Sequence, residues 1–341
     1  MKPIRILALM HEDLVPPENL AGYTNEQIAE WKTEYDVVTG LRQLGHEVQT
    51  LGVSNDLGVI REAIKQFRPR IAFNMLEEFH GVALYDQHVV SYLELLRKPY
   101  TGCNPRGLTL AHDKALSKKI LTFHRIPVPR FGVFPIGRRV RRPERLQFPL
   151  IVKSLVEHAS MGISQASVVH SDDKLAERVA FIHEHVGTDA IVEQYIDGRE
   201  LYMAVMGNQR LATFPIWEMQ FPNLPSDAPR IATAKVKWDE NYQKKIGLTT
   251  GPATDLPEGL DQRIAKLSKR AYRSLALTGY ARLDWRLTED GRVFLLEANP
   301  NPELAYDEEF ASSAAHVGIN FESLLQKILN LGLRYRAQWK A

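Results

Sequence analysis

Apolar positions fall along the chain in two repeating patterns, and the change from one to the other marks its elements. Ile4-Arg5-Ile6-Leu7-Ala8-Leu9-Met10 is a short apolar run that predicts a strand. Over residues 25–44, Ile28, Trp31, Tyr35, Val38, Leu41 and Leu44 recur at helical spacing, and Gly45 stops the helix. The same reading gives a strand over 47–51, a helix over 56–67, a strand over 70–75 and a helix from about 84 to 97. Strands alternating with helices predict a parallel sheet whose ligand-facing edge lies beyond the strand C-termini. His11, Glu12, Asp13, Asn74, Glu77 and Glu78 fall at that edge, either as polar loop exits or as substrate contacts. Neither GxGxxG after the first strand nor GxxxxGKS occurs, so a dinucleotide fold and a P-loop are unsupported.

The second half changes character. A helix over 112–123 carries Lys114, Lys118 and Lys119, most of which should be solvated. Ile126-Pro127-Val128-Pro129 closes a first unit, because proline stops a helix and stiffens a connector. A buried-looking strand over 148–153 ends in Lys153, and the loop 154–162 that follows holds Ala159, Ser160 and Gly162, small enough for a backbone to approach a phosphate. The apolar strand 190–196 turns at Asp197-Gly198, with Glu200 and a strand over 201–206 beyond it. Such an edge offers backbone groups to a planar base and a carboxylate to ribose hydroxyls; a plain hairpin with surface acids is the alternative. Residues 222–257 are proline-marked, polar and without period, the mark of a functional loop or lid, and they carry Lys235, Lys237 and Trp238. Residues 321–333 are spaced as an amphipathic closing helix.

The most informative stretch is 280–302. Asp290-Gly291 between two apolar-rich runs signals a hairpin, and a tight turn there sets Asp284 opposite Glu297 and Arg282 opposite Asn299. Side chains alternate across a strand, so all four project from one face. Two opposed carboxylates repel. Oxygen ligands converging with an open side are what Mg²⁺ takes when it also binds substrate phosphates. The alternative is a solvent-facing pair neutralised by arginines such as Arg286, but Val293-Phe294-Leu295-Leu296 reads as a buried strand.

Composition narrows the class. A chain of 341 residues, 44% hydrophobic and 25% charged, can bury several cores and has the balance of an ordinary globular protein. Its net charge of +2 gives no argument for nucleic acid. Arg138, Arg139, Arg141, Arg142 and Arg145 form one basic cluster in a Pro- and Gly-marked connector, which reads as a solvated linker. Cys103 is the only cysteine, so no intrachain disulfide framework forms, and a cytoplasmic location is expected. No signal peptide or apolar run of about 18 residues is read, so no membrane partner is expected.

Taken in order, the strand lysine, small-residue loop, Glu-Gln-Tyr-Ile edge, lysine-bearing loop and Arg-x-Asp hairpin ending Glu-Ala-Asn-Pro resemble the ATP-grasp superfamily, specifically its D-alanine:D-alanine ligase branch. Tyr100-Thr101-Gly102 and Asp113-Lys114-Ala115-Leu116-Ser117-Lys118 belong to the same resemblance, which runs from about Phe73 to Ile328. It implies an α/β fold, α+β in part: an N-terminal parallel α/β (preATP-grasp) domain over 1–110 and two α+β subdomains, 111–196 and 197–341, clamping ATP. It implies that Lys114 and Lys153 bind the ATP phosphates under the loop containing Ser160. Glu193, Gln194, Tyr195 and Ile196 would form the adenine edge, Glu200 would bind ribose, and Leu296 would floor the purine. Lys237 aligns with the mobile-loop lysine, with Lys235 a rival. Arg282 would face the transferred phosphate and later oxyanion, while Asp284, Glu297 and Asn299 would bind Mg²⁺, or Mn²⁺ in its place. The implied activity joins a small-molecule carboxylate to an amine through an acylphosphate; homodimerisation is implied by resemblance alone.

The chain departs from the family where the second substrate binds. The family's Asn-x-x-Pro-Gly is here Asn299-Pro300-Asn301-Pro302-Glu303, and Asp307, Glu308 and Glu309 follow. These acids disfavour a carboxylate and favour a cationic group, unless they start a helix and face solvent. The pattern near Glu77-Glu78-Phe79-His80-Gly81 is altered too. A product other than D-alanyl-D-alanine is therefore expected. An ATP-binding regulatory module without ligation and a small-molecule kinase are the other readings.

Overall fold

The computed structural model describes residues 2–156, 162–225, 228–233, 235–236 and 239–337; Ser160 and Lys237 lie outside them. Strand β1 (Arg5–His11) is paired on both sides, with β2 (Glu47–Val53) and β3 (Ile71–Asn74), in a parallel sheet ordered β2-β1-β3. Ile6, Leu7, Ala8, Leu9 and Met10 are all fully buried, as an unbroken apolar run requires when helices cover both faces. The single helix expected over 25–44 is two, α1 (Asn25–Glu30) and α2 (Lys32–Gln43). The chain leaves helical geometry at Trp31, whose ring packs on Tyr23 and Tyr35. Helices α3 (Gly58–Phe67) and α4 (Asp86–Leu95) fall where expected.

The helix expected from about 112 to 123 begins two residues later, at Lys114. Helix α5 (Pro105–His112) stops at Asp113, whose carboxylate accepts the Leu116 N–H at 2.8 Å and so caps α6 (Lys114–Phe123). The solvation expected for the lysines is overturned as well. Lys114 and Lys118 are 7% and 1% exposed, and only Lys119 faces water.

The second sheet is antiparallel. Strands β4 (Phe131–Phe134), β5 (Leu150–Ser154), β6 (Val168–Val169) and β7 (Ala190–Gln194) run in the order β4-β7-β5-β6. Leu150, Val152, Ala190 and Val192 bury one face with Leu175 and Val179 of α7 (Asp172–Phe181). Alternation turns Lys153 and Glu193 to the opposite face.

The third sheet holds β8 (Arg199–Met206), β9 (Ala212–Thr213), β10 (Trp217–Gln220), β11 (Thr249–Pro252), β12 (Tyr280–Leu287) and β13 (Val293–Pro300), along the path β11-β10-β8-β12-β13 with β9 on β8. Part of the stretch expected to be irregular is regular: α8 (Glu240–Ile246), capped by Asp239, leads into β11 on the sheet edge. A helix not anticipated from the sequence, α9 (Leu260–Ser274), packs Ile264, Ala271 and Tyr272 under Leu201, Met203, Leu283 and Trp285. Helices α10 (Glu309–Ala315) and α11 (Phe321–Arg334) close the chain.

The β12–β13 hairpin keeps the expected register where it matters and loses it near the turn. Asp284 pairs with Glu297 and Arg282 with Asn299, but Leu287 pairs with Val293 and Trp285 with Leu295, one residue out of step. The tight turn at Asp290-Gly291 is instead a three-residue loop: Thr288 bonds Arg292 at 2.9 Å, and Gly291, at φ +78°, donates to the Thr288 carbonyl. An extra residue in β13, Leu296, bulges between the two registers and restores the pairing beyond it.

Candidate active site

Strands β8, β12 and β13 turn one face toward the second sheet. In register along it stand Glu200 opposite Arg286, Tyr202 opposite Asp284, Asp284 opposite Glu297, and Arg282 opposite Asn299. The Arg282 guanidinium grips Asp284 with two bonds, Nε to Oδ1 at 2.9 Å and Nη2 to Oδ2 at 3.1 Å, lies 4.7 Å over the Tyr202 ring, and reaches Glu309 at 3.2 Å. Burial opposes its charge, but Asp284 and Glu309 hold its pKa well above the ordinary arginine value. Asn299 Nδ2 lies 2.9 Å from Asp284 Oδ2 and 3.4 Å from Glu297 Oε1. Asn299 thus lies within hydrogen-bond reach of both carboxylates, and turning the amide presents its oxygen beside theirs. Hard oxygen donors in this number fit Mg²⁺ sharing its shell with phosphates.

Beside this face lies a buried cluster of lysines. Glu193, 1% exposed, receives Lys118 at 3.2 Å on one oxygen and Lys153 at 3.3 Å on the other. Burial would raise the Glu193 carboxyl, but Lys118 and Lys153 outweigh it and hold it below the usual range. Lys118 also donates to the Leu296 carbonyl at 2.6 Å, at the bulge where β13 leaves the ladder. Burial lowers Lys114 and Lys118, against the pull of Glu297 and Glu193. Among the described residues three lysines stand by two carboxylates, Glu193 and Glu297, a balance of charge that favours an anion at this spot.

The adenine-edge residues sit at the rim. Gln194 is exposed, Tyr195 half-buried and Ile196 buried. The Gln194 and Tyr195 N–H groups are already bonded to the carbonyls of Arg130 and Pro149, while Ile196 N–H has no partner among the described residues. What this segment offers a base thus begins at Ile196. Glu200 points inward, one oxygen 2.8 Å from Arg286 Nη2 and the other 2.9 Å from the Tyr202 hydroxyl. Lys235 is exposed and lies 4.8 Å over the Tyr242 ring, away from the buried cluster. Leu296, half-buried, lies on the bulge.

The fold thus joins Arg282, Asp284, Glu297 and Asn299 in one group and Lys153 and Glu193 in another. Charges link the two: Lys114 and Lys153 both feel Glu297. Sequence reading missed Lys118 and Arg286 as site residues, and weighed Glu309 only among the acids beside the acceptor site. Lys118 had a signal, since with Ala115 and Leu121 it lies in the buried stripe of α6. Arg286, offered above as a surface neutraliser, is 3% exposed and binds Glu200 and the Gly198 and Arg230 carbonyls. Its register opposite Glu200 on a strand far away in sequence was illegible before folding.

Comparison with known proteins bears on the family and the fold. Residues 124–330 match the family described as D-ala D-ala ligase C-terminus. An uncharacterised protein of Sinorhizobium fredii is 30% identical over 310 residues, 87% of this chain and 86% of that protein. A D-alanine–D-alanine ligase of Desulfotalea psychrophila is 31% identical over 265 residues, 77% and 78% of the two chains. In three dimensions the D-alanine–D-alanine ligase of Bacillus anthracis complexed with ATP matches with a TM-score of 0.74 at 23% identity, covering 97% of this chain and 98% of that one. The chain therefore belongs to the D-alanine–D-alanine ligase family and has its ATP-grasp fold.

Proposed function

We propose that the protein is an ATP-dependent carboxylate-amine ligase that forms an amide through an acylphosphate, on an amino acid or small peptide, with a product other than D-alanyl-D-alanine. The observation that carries the reading is the meeting of the Arg282, Asp284, Glu297 and Asn299 face with the buried lysines around Glu193. Lys114 and Lys153 bind ATP phosphates, and Lys118 fixes Glu193 and the Leu296 carbonyl beside the purine. Ile196 and its neighbours take the adenine edge, and Glu200, braced by Arg286, takes the ribose. Asp284, Glu297 and Asn299 would hold Mg²⁺, which when bound would offset the charge on the phosphates.

The substrate carboxylate attacks the γ-phosphorus, and ADP leaves. The amine nitrogen then attacks the acyl carbon, with Arg282 stabilising the oxyanion. The carbon–oxygen bond to phosphate breaks, and the amine's proton is lost. Lys237 and Ser160 belong to the segments that close over the phosphates and keep water from the acylphosphate. The divisions 1–110, 111–196 and 197–341 are the units that would move in that closure. The substitution of Glu303 for glycine after Asn299-Pro300 supports a different second substrate.

The test is ADP and phosphate release with Mg²⁺ across pooled L- and D-amino acids, dipeptides and polyamines, with products weighed by mass spectrometry. A product equal to two components minus water is expected. A product with one added phosphate and no amine required would replace the ligase reading with a kinase. ATP binding with no turnover in any pool would favour a module without ligation.

A further inference from the structure

Tyr100-Thr101-Gly102, a motif to which the proposed reaction gives no part, lies where the first sheet meets the end of β13. It runs on from that sheet: the Thr101 N–H donates to the Ala72 carbonyl at 3.0 Å, and Thr101 Oγ1 accepts the Asn74 N–H at 3.0 Å. Thr101 is fully buried. The chain then crosses to the residues just before β12, where the Asn104 N–H donates to Thr278 Oγ1 at 2.9 Å and Asn104 Nδ2 to the Ala276 carbonyl at 2.7 Å. Residues 100–104 are thus a bar fixed at both ends, and it faces the residues that follow Asn299.

Asn301 grips that bar. Its Oδ1 accepts the Cys103 N–H at 2.7 Å, and its own N–H donates to the Tyr280 carbonyl at 3.2 Å. Because the donor is a backbone N–H, the atom that meets it must be the amide oxygen. Neither Pro300 nor Pro302 has an N–H to give the ladder, so backbone anchoring of 300–302 through a donor falls to Asn301. The backbone there is left-handed, at φ +52°, which asparagine tolerates better than most residues. Gly102, at φ +91°, completes the fit: a Cβ on it would overlap Asn301 Oδ1.

Two residues before Asn301 stands Asn299, whose amide lies 2.9 Å from Asp284; two residues after it, Glu303 accepts the Thr33 hydroxyl at 2.9 Å. The β13 ladder ends between them, at the Ala281–Pro300 pair. A strand end past its last paired residue opens at little cost. Mg²⁺ demands a closely defined octahedron, so a donor that drifts is a donor lost. Resting on the reading of Asp284, Glu297 and Asn299 as the Mg²⁺ donors, we infer that Asn301 is a positioning residue for that site. Bonded to the Cys103 N–H, it holds the end of β13 on the extension of the first sheet and keeps the Asn299 side chain turned to Asp284 and Glu297.

The experiment is calorimetric titration of the full-length protein with adenylyl imidodiphosphate, a non-hydrolysable ATP analogue, over a series of Mg²⁺ concentrations and in EDTA. Asn301→Gly keeps the left-handed backbone and deletes the oxygen. It should raise the Mg²⁺ concentration for half-maximal enhancement of binding about tenfold, the scale usual for a group that orients a metal ligand, while binding in EDTA stays at the parent's value. Asn301→Asp keeps both the backbone tolerance and an oxygen for the Cys103 N–H, and should need no more Mg²⁺ than the parent. Asn301→Ser, whose hydroxyl is too short to reach, should match the glycine variant and stands in for it if that variant does not fold.

The inference is overturned if the glycine and serine variants respond to Mg²⁺ as the parent does, if the aspartate variant fails with them, or if binding in EDTA falls equally, as a general loss of packing would make it. Asp284→Asn tests the reading beneath the inference. Loss of the Mg²⁺ enhancement in Asp284→Asn, with Asn301→Gly unaffected, sinks the inference and leaves the metal reading standing. An unchanged Mg²⁺ response in Asp284→Asn sinks the metal reading itself, whatever Asn301→Gly does.

Discussion

Glu193 holds two lysines from different elements, Lys118 of α6 and Lys153 of β5, and so fixes the side of the site where the lysines gather. Replacing Lys118 with methionine keeps the packing volume but removes one of the two cations on Glu193 and the donor to the Leu296 carbonyl. A buried pair broken on one side should cost about 3 kcal/mol. Urea denaturation should show the loss, and ATP titration of the folded fraction should show weaker binding. Arg282 acts differently, through two parallel bonds to Asp284 that a lysine cannot reproduce. Arg282→Lys should lower kcat about 100-fold with little change in ATP affinity, since the guanidinium is aimed at charge that develops during reaction. Steady-state phosphate release and ATP titration separate the two effects.

At the scale of elements, the site depends on where strands start and slip. Gly198 has φ +141°, and a Cβ there would stand 2.0 Å from the Leu287 carbonyl oxygen, backbone that cannot rotate away. Its own carbonyl accepts Arg286, and Glu200 follows two residues later. Gly198→Ala should therefore destabilise by more than about 1 kcal/mol and weaken ATP binding through the displaced Arg286–Glu200 pair. Denaturant midpoints and nucleotide titration check both. The bulge at Leu296 belongs to this scale as well. It absorbs the three-residue turn loop, so Asp284 and Glu297 face each other despite a turn that differs from the one the Asp-Gly signal predicts.

For the molecule as a whole, buried acids set how stability responds to pH. Burial first, then Glu77, pushes the Asp86 carboxyl up to about 8, against the Gln87 amide. Burial, with Glu77 and Glu303, pushes Glu34 up to about 7. Both native pKa values exceed the unfolded ones, so the folded protein binds more protons and stability falls as pH rises through this range. His112 lies 3.5 Å from Asp86, and burial, then Lys114, lowers it to about 4. Its contribution has the opposite sign: it is present above the ordinary histidine value and lost as pH falls toward 4. Stability without ligand should therefore decline from about pH 5 upward, most steeply above about pH 6.5 where His112 no longer offsets the two carboxyls, with melting temperature falling by roughly 5 °C toward pH 8. Asp86→Asn should flatten that descent. A melting profile against pH for both proteins is the check.

The sequence by itself determined the local elements and the chemistry of the hairpin. Apolar period placed β1, α3 and β7, and strand alternation set Arg282, Asp284, Glu297 and Asn299 on one face, because those properties depend on neighbours a few residues apart. It misjudged what depends on distant surroundings. The cap that Asp113 gives α6 was not read, and most of the lysines of α6 were taken as solvated because a helix alone does not reveal what its charged face meets. Arg286 against Glu200 pairs residues 86 apart, and Thr33 against Glu303 pairs residues 270 apart. Only tertiary structure decided those contacts: a buried charge is tolerated or orphaned according to what the rest of the chain brings beside it.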